Sequence, residues 1–395
     1  MKIVVAPDKF KGTLSAIDAA EAIRTGLSRV LPHADVDIMP LADGGEGTVS
    51  ALVAATGGSL NTKQVTGPTG NPVQATYGFL GPHTPDVPSF RGARGSTAVV
   101  ELAQASGLHH LPLPRRNPLL TTTFGTGELI QQASADGART IIVGLGGSAT
   151  HDCGMGLGQA LGVEFRDGEG RAVGRGGRCL SDLVSLSLSA IDAAVLRADI
   201  VGAYDVGNEL TGPAGAAAVY GRQKGASDAQ IEQLEKGALN FAAVVERILH
   251  KDVAHFPGAG AAGGVGAGLR AFFDAEFVPG ANLVLDLAGA ADRIRDADLV
   301  ITGEGRVDRQ TAFGKAPAAV ASLAREFGLP VYAMAGEKEA GDDWWDEAGF
   351  DGVFSLTEYA GSRDESRRRT AHYLARVAAE FADDLSTGGA ARSDS

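Results

Sequence analysis

The chain has 395 residues, enough for two domains that each bury a core, and its composition is globular at 44% hydrophobic and 21% charged. A net charge of −13, with no local basic stripe to offset it, argues against nucleic acid as a partner. Two cysteines without metal-ligand spacing, Cys153 and Cys179, fit a reducing cytoplasm; the opening MKIVVAP is too short in apolar residues for a signal peptide, and no apolar run reaches the roughly 18 residues of a membrane helix.

The opening reads β-α-β-α. Lys2–Ala6 is a buried strand, and Pro7 to Thr13 form the loop at its carboxyl end. Ser15 caps a helix, with Asp18 three residues on. Val36–Leu41 is a second strand, followed by Ala42-Asp43-Gly44-Gly45-Glu46-Gly47-Thr48 and another helix. In an open parallel sheet, ligands bind beyond the carboxyl ends of the strands, which places Asp8, Lys9, Lys11, Asp43 and Glu46 on the functional rim.

From about Val65 the texture changes. Val73–Phe79 and Ala98–Leu102 read as strands, residues 82–95 as a mobile surface loop, and Thr126 as the cap of a helix running to Ala135. Ile141–Val143 is a β-branched run that breaks into Gly144, Gly146, Gly147, Ser148, Ala149 and Thr150, with Asp152 beside them. Glycine tolerates positive φ and lets a ligand approach the backbone, so this is either a phosphate-handling loop or a turn made for close packing. It is not a Walker A loop, since no Gly-Lys-Ser/Thr ends it. Val163–Gly177 reads as a hairpin. Residues 200–225, carrying Asp205, Asn208, Thr211 and Lys224, form a long loop of the kind that usually serves function. Ser227 and Gln230 then cap a helix to about Leu249. Gly258–Gly268 fits a ligand-approach loop and a closely packed small-residue helix equally well, and Asp286 in an apolar run needs a partner.

The opening texture returns near the end. Asp298–Thr302 is a strand, followed by a loop from Gly303 to Thr311; Lys315 precedes a helix, and Val331–Ala335 and Val353–Leu356 are the last strands. A helix over 364–385 closes the fold. Two βα units at the start and three at the end would build one five-stranded doubly wound domain, with the middle inserted.

The polar loops hold carboxylates suited to Mg²⁺ (Asp8, Asp43, Glu46, Asp152, Asp205, Glu304, Asp308) and cations suited to phosphate (Lys9, Lys11, Lys224, Lys315). Phosphoryl transfer needs such a set: positioning, charge neutralisation, and a base near the accepting hydroxyl. No metal-hydrolase spacing occurs, and Ser148, His151 and Asp152 are not shown by sequence to converge as a triad.

Six segments carry a resemblance: APDKFKGTLSA (6–16), PLADGGEGT (40–48), GLGGSATHDCGMG (144–156), YDVGNELTGPAGAAAVYGRQKGA (204–226), GAGAAGGVGAGL (258–269) and ITGEGRVDRQTAFGKAP (301–317). Together they resemble the bacterial glycerate kinases of the glycerate 2-kinase type, from the first strand to about residue 380. The resemblance implies ATP- and Mg²⁺-dependent phosphorylation of D-glycerate, usually to 2-phosphoglycerate, in a cytoplasmic enzyme that is a monomer or homodimer. It implies a flavodoxin-like α/β domain from both chain ends (1–65 and 288–385) and an inserted α/β domain of restriction-endonuclease-like fold (66–287), with 386–395 as a flexible tail. The chain departs from the family at Glu209, where proline is usual, at Ala214, where a polar residue is common, and at 82–94, which reads as an insertion.

On that basis Asp205 or Asp43 is expected to orient or deprotonate the acceptor hydroxyl, with Lys9 and Lys11 in the catalytic set. Glu304 and Asp308 are expected to hold Mg²⁺. Asp8, Gly44, Gly45, Glu46, Gly146, Gly147, Ser148, Asp152, Asn208, Lys224 and Lys315 are expected to bind substrate or nucleotide. The alternatives left open are another hydroxy acid as acceptor, phosphorylation at C3, and a non-catalytic metabolite-binding regulator.

Overall fold

The computed structural model describes residues 1–82, 84, 96–309, 311, 315–339 and 344–387. Of the expected surface loop only Pro82 and Thr84 are among them, and of the expected tail only Ser386 and Thr387; the rest of both expectations lies outside the described residues.

In chain order the strands are β1 (Lys2–Pro7), β2 (Asp35–Ile38), β3 (Ser59–Thr66), β4 (Pro72–Phe79), β5 (Thr97–Glu101) and β6 (Thr140–Gly144). Then come β7 (Glu164–Arg166), β8 (Ser185–Ser187), β9 (Asp199–Tyr204), β10 (Glu276–Pro279), β11 (Leu299–Val307), β12 (Val331–Lys338) and β13 (Gly352–Ser355). The chain divides into two compact units. One joins Met1–Asp43 to the residues from Ala281 onward; the other is Gly44–Gly280.

The chain-end unit is built on a five-stranded sheet in the order β13-β12-β11-β1-β2, with every pairing parallel. Ile3, Val4 and Val5 are all fully buried, so both faces of the interior strand β1 are covered, as parallel sheets require. Helices Ala16–Val30 and Thr370–Ser386 pack together, and Ile3, Val5, Ile23, Leu27, Leu374, Val377 and Phe381 share one core cluster. Ser15 caps the first helix by accepting the Asp18 N–H at 3.2 Å, as its sequence indicated. Gly26 is where these two helices touch: a Cβ there would overlap the Ala375 carbonyl oxygen.

Two expectations about this unit are corrected. Gly303-Glu304-Gly305-Arg306-Val307 is not a loop but the second half of β11, paired with β12 out to Val307–Lys338. Its glycines mark close backbone approach rather than a turn: a Cβ at Gly303 would overlap the Met334 carbonyl, and one at Gly336 the Gly305 carbonyl. The closing helix is two helices, Arg363–Arg368 and Thr370–Ser386, broken at Arg369 with φ −130° and ψ 38°.

The middle unit holds a six-stranded mixed sheet in the order β10-β9-β6-β5-β4-β3. β5, β6, β9 and β10 run parallel, while β3 and β4 are antiparallel additions. The apolar run Ile141–Val143 lies fully buried in β6, between β5 and β9. The sequence placed the first division at 65, but it falls at Asp43–Gly44. The reason is pairing: β3 is bonded along its whole length to β4, and helix Thr48–Thr56 is anchored by the Glu101 carboxylate of β5, which accepts the Val49 N–H at 2.7 Å.

The helix Phe124–Ala135 begins before Thr126, which is buried inside it and shares a 2.9 Å hydrogen bond with Ser106. Ser227 and Gln230 form the expected capping box of helix Asp228–Leu249. β7 and β8 pair antiparallel, and Arg166 bridges back to Ala172 within the expected hairpin.

Candidate active site

In the chain-end unit the sheet turns the end of β1 toward the end of β11. The order reverses here: after β1 the chain goes to β2 on one side, and later returns to β11 on the other. Such switch points open a crevice beyond the carboxyl ends. Asp8 follows β1, 5% exposed, with its N–H on the Gly303 carbonyl at 2.8 Å. Lys9 Nζ lies 3.2 Å from Asp43 Oδ1 and 3.6 Å from Asp8 Oδ1, bridging the loops after β1 and β2. Burial pushes the Asp8 carboxyl up to about 7, opposed by Lys9 and assisted by Asp43 and Glu304.

On the β11 side, Glu304 Oε1 accepts the Thr311 hydroxyl at 2.8 Å, and the same hydroxyl accepts the Asp308 N–H at 3.1 Å. Lys315 Nζ stands 3.7 Å from both Glu304 and Asp308. Burial raises the Glu304 carboxyl as well, against the pull of Lys315. Lys11 is exposed and lines a small cavity of about 30 Å³ with Gly305, Gly336, Glu337 and Arg367.

The arrangement gathers Asp8, Asp43, Glu304 and Asp308 about Lys9 and Lys315, with Arg306 Nε 3.3 Å from Asp308 Oδ2. Among the described residues no group of three or more His, Cys, Asp or Glu side chains is set to hold a metal ion. Magnesium rarely uses such a cage; it takes one or two carboxylates, with phosphate oxygens and waters for the rest. Hard oxygen donors, partly buried, fit that demand.

In the middle unit the glycines of the Gly144–Ser148 turn are occupied by packing. A Cβ at Gly144 would come 2.5 Å from the Gly44 carbonyl, and one at Gly146 2.5 Å from the Gly45 Cα. The predicted glycines 44, 45 and 146 therefore belong to one contact between two loops, while Gly147, at φ 72°, backs onto Ala103 instead. Glu46, in the same loop as Gly44 and Gly45, is exposed.

Behind the turn, Lys224 is almost fully buried. Its Nζ donates to the Ser148 hydroxyl and to the Thr150 carbonyl, each at 2.7 Å, and burial pushes its ammonium down to about 7. His151 beside it is completely buried. Neither ring nitrogen has a hydrogen-bond partner among the described residues, and burial, then Lys224, hold the ring neutral, down to about 3. Asp152, expected to face a ligand, turns inward instead. Its oxygens accept the Thr123 N–H at 2.8 Å, the Thr123 hydroxyl at 3.0 Å and the N–H groups of Gly154 and Gly156 at 3.3 Å. That clamps the start of helix Met155–Ala160 and accounts for the displaced cap of the preceding helix.

The 200–225 segment is β9, then a turn, helix Ala216–Tyr220 and a single helical turn ending at Lys224. Asn208 is spent within it: it donates to the Ala214 carbonyl at 2.7 Å and accepts the Tyr220 hydroxyl at 2.5 Å. Asp205 is exposed. The Gly258–Gly268 run resolves toward packing. Ala262, Gly263 and Gly264 take φ of 56°, 71° and 88°, and a Cβ at Gly263 would overlap the Thr150 carbonyl and lie 3.0 Å from Lys224 Nζ.

Comparison with known proteins matches residues 3–386 to the glycerate kinase family. The chain belongs to the glycerate kinase family. It is 45% identical over 96% of its length to the glycerate kinase of Halalkalibacterium halodurans, covering 97% of that protein. It is 42% identical over 98% of its length to the glycerate 2-kinase of Escherichia coli, covering 99% of it. A crystal structure described as a putative glycerate kinase 2 from Salmonella typhimurium superposes with a TM-score of 0.81 at 42% identity, over 98% of this chain and 99% of that one.

Membership of a kinase family implies ATP and glycerate as substrates, and no helix among the described residues is long and apolar enough to cross a membrane. For this glycerate kinase family member, sequence reasoning missed Thr311, Thr150 and Glu101. Thr311 bridges Glu304 and Asp308 across a turn, a role no local pattern announces. Thr150 acts through its carbonyl, and Glu101 acts only once β5 lies beside helix Thr48–Thr56.

Proposed function

We propose that the protein transfers the γ-phosphoryl group of ATP to the C2 hydroxyl of D-glycerate, giving 2-phospho-D-glycerate and ADP. The carrying observation is the carboxylate cluster at the switch point of the parallel sheet, Asp8, Asp43, Glu304 and Asp308 against Lys9 and Lys315. The kinship to a protein named glycerate 2-kinase supports the regiochemistry. The strand order, 2-1-3-4-5 when the unit's own strands are counted, supports a flavodoxin-like domain built from both ends. The middle unit is read as the inserted, restriction-endonuclease-like domain.

Glu304 and Asp308 would hold Mg²⁺, which when bound neutralises charge on the transferred phosphoryl oxygens. Thr311 orients the Glu304 carboxylate through its hydroxyl and ties it to the Asp308 backbone N–H. Lys315, within 3.7 Å of each, and Lys11 on the exposed rim would meet phosphate oxygens. Asp43, oriented by Lys9, is the better candidate to take the acceptor proton. Its ion pair gives it a fixed direction, whereas Asp205 is exposed at a loop.

A coupled ADP-release assay with ATP, Mg²⁺ and D-glycerate tests this, with enolase added separately to read the product. ADP formation whose product enolase carries forward establishes transfer to C2. ADP without an enolase substrate moves the reaction to C3. No glycerate-dependent ADP removes glycerate as the acceptor.

A further inference from the structure

The sequence treated Lys224 as a direct ligand-binding lysine, but the structure gives it no open route to one. Its nitrogen lies behind Ser148, walled by the left-handed turn Ala262–Gly264, and its hydrogen bonds end on Ser148 and Thr150. No carboxylate hydrogen-bonds it among the described residues; Asp152 attracts it only from a distance and too weakly to offset burial, and the neighbouring His151 is neutral. A buried ammonium with only neutral acceptors is costly to keep.

The bond to Ser148 has a direction. An ammonium only donates, so Ser148 Oγ accepts, and the hydroxyl's own hydrogen is left for another acceptor. A hydroxyl whose oxygen accepts from a cation is polarised and becomes a stronger donor. The Gly107–Ser148 bridge is closed by Ala149 N–H on Ser106 and Leu108 N–H on Gly147, so the Ser148 amide stands outside that pair.

We propose that Ser148 is the donor that receives an anionic oxygen of a substrate, a carboxylate or a phosphate, and that Lys224 is a positioning residue acting through it. The arriving anion compensates the buried charge one hydroxyl away. This rests on the phosphoryl-transfer reading and specifies how one of its substrates is held.

The test is a double-mutant cycle of Ser148→Ala, Lys224→Met and the pair, with KM measured separately for D-glycerate and for ATP, beside thermal unfolding of each variant. The expected result is a rise in one KM on the order of 10- to 100-fold for either single change. The double variant should lie within about twofold of the worse single one, because both remove the same donor. Ser148→Thr, which keeps the hydroxyl, should restore KM. The substrate whose KM moves identifies the anion: glycerate for a carboxylate, ATP for a phosphate. Lys224→Met should unfold no earlier than the wild-type protein, since a buried charge bonded only to neutral acceptors is replaced by an apolar chain.

Additive effects would overturn the proposal by showing direct contact by Lys224. Unchanged KM for both substrates in Ser148→Ala would overturn it even if Lys224→Met failed to fold. Thermal-shift titration with D-glycerate and with ATP reads the same site without turnover. A wild-type protein lacking glycerate-dependent ADP release, yet showing a shift that Ser148→Ala abolishes, would remove the reaction and keep the anion site.

Discussion

Asp8 and Thr311 show what single side chains do at this rim. Asp8 is a buried carboxyl raised by desolvation to about 7, so its burial weakens the fold once it ionises. A raised carboxyl contributes stability that is complete below its unfolded value of 3.8 and lost as pH rises through about 7. Asp8→Asn should therefore unfold at a higher temperature than wild type near pH 8 in chelator, with the gap closing toward about pH 5. The same variant should lose most activity, a trade expected where a site stores destabilising charge. Thermal unfolding across that range, beside the ADP assay, checks both halves. Thr311→Val keeps the shape and removes the hydroxyl between Glu304 and Asp308; the Mg²⁺ concentration for half-maximal activity should rise on the order of tenfold. At this scale the sequence showed which residue types gather after strands, because charge beside glycine is a local pattern. It did not show their orientation. Asp152 and Lys224 look like ligand residues in the chain and turn out to be held by Thr123, Ser148 and Thr150, partners 29, 76 and 74 positions away.

Elements were legible where their signals are local. The box at Ser227 and Gln230 fixed a helix start correctly because both hydrogen bonds close within one turn. The start at Phe124 was misplaced because the hydroxyl of Thr123 answers to Asp152 rather than to its own helix. The second half of β11 was misread because Gly-Glu-Gly-Arg looks like a turn; only the neighbouring strand at Met334 and the loop at Phe10–Lys11 explain those glycines. Two substitutions probe this. Gly26→Ala should gain about 1 kcal/mol in helix propensity, yet destabilise the protein, because the methyl overlaps the Ala375 carbonyl. Gly336→Ala should destabilise by about 1–3 kcal/mol through collision with the Gly305 carbonyl, and should impair the β11 rim as well. Denaturant unfolding gives the sign for each, and a neutral or stabilising Gly26→Ala would contradict the packing described.

For the whole molecule, the two-unit plan was visible in the return of the opening texture after residue 298. The crossing points were not, since Thr48–Thr56 and β3 read equally well as a continuation of either unit. Gly44 and Gly280 lie side by side; a Cβ on Gly44 would be 3.3 Å from the Gly280 Cα. Replacing 44–280 by a short glycine linker between Asp43 and Ala281 should therefore leave a chain that folds alone with its five parallel strands. Circular dichroism and a single cooperative unfolding transition would show it, and an unfolded product would contradict the unit's independence. The same plan sets an order of events at the ribosome. β1 lies between β2 and β11 in its sheet, yet β11 is translated nearly three hundred residues later. The middle unit can finish folding while β1, with only β2 available to pair, waits with its β11 edge open, the stage at which chaperone contact or mispairing would be most consequential.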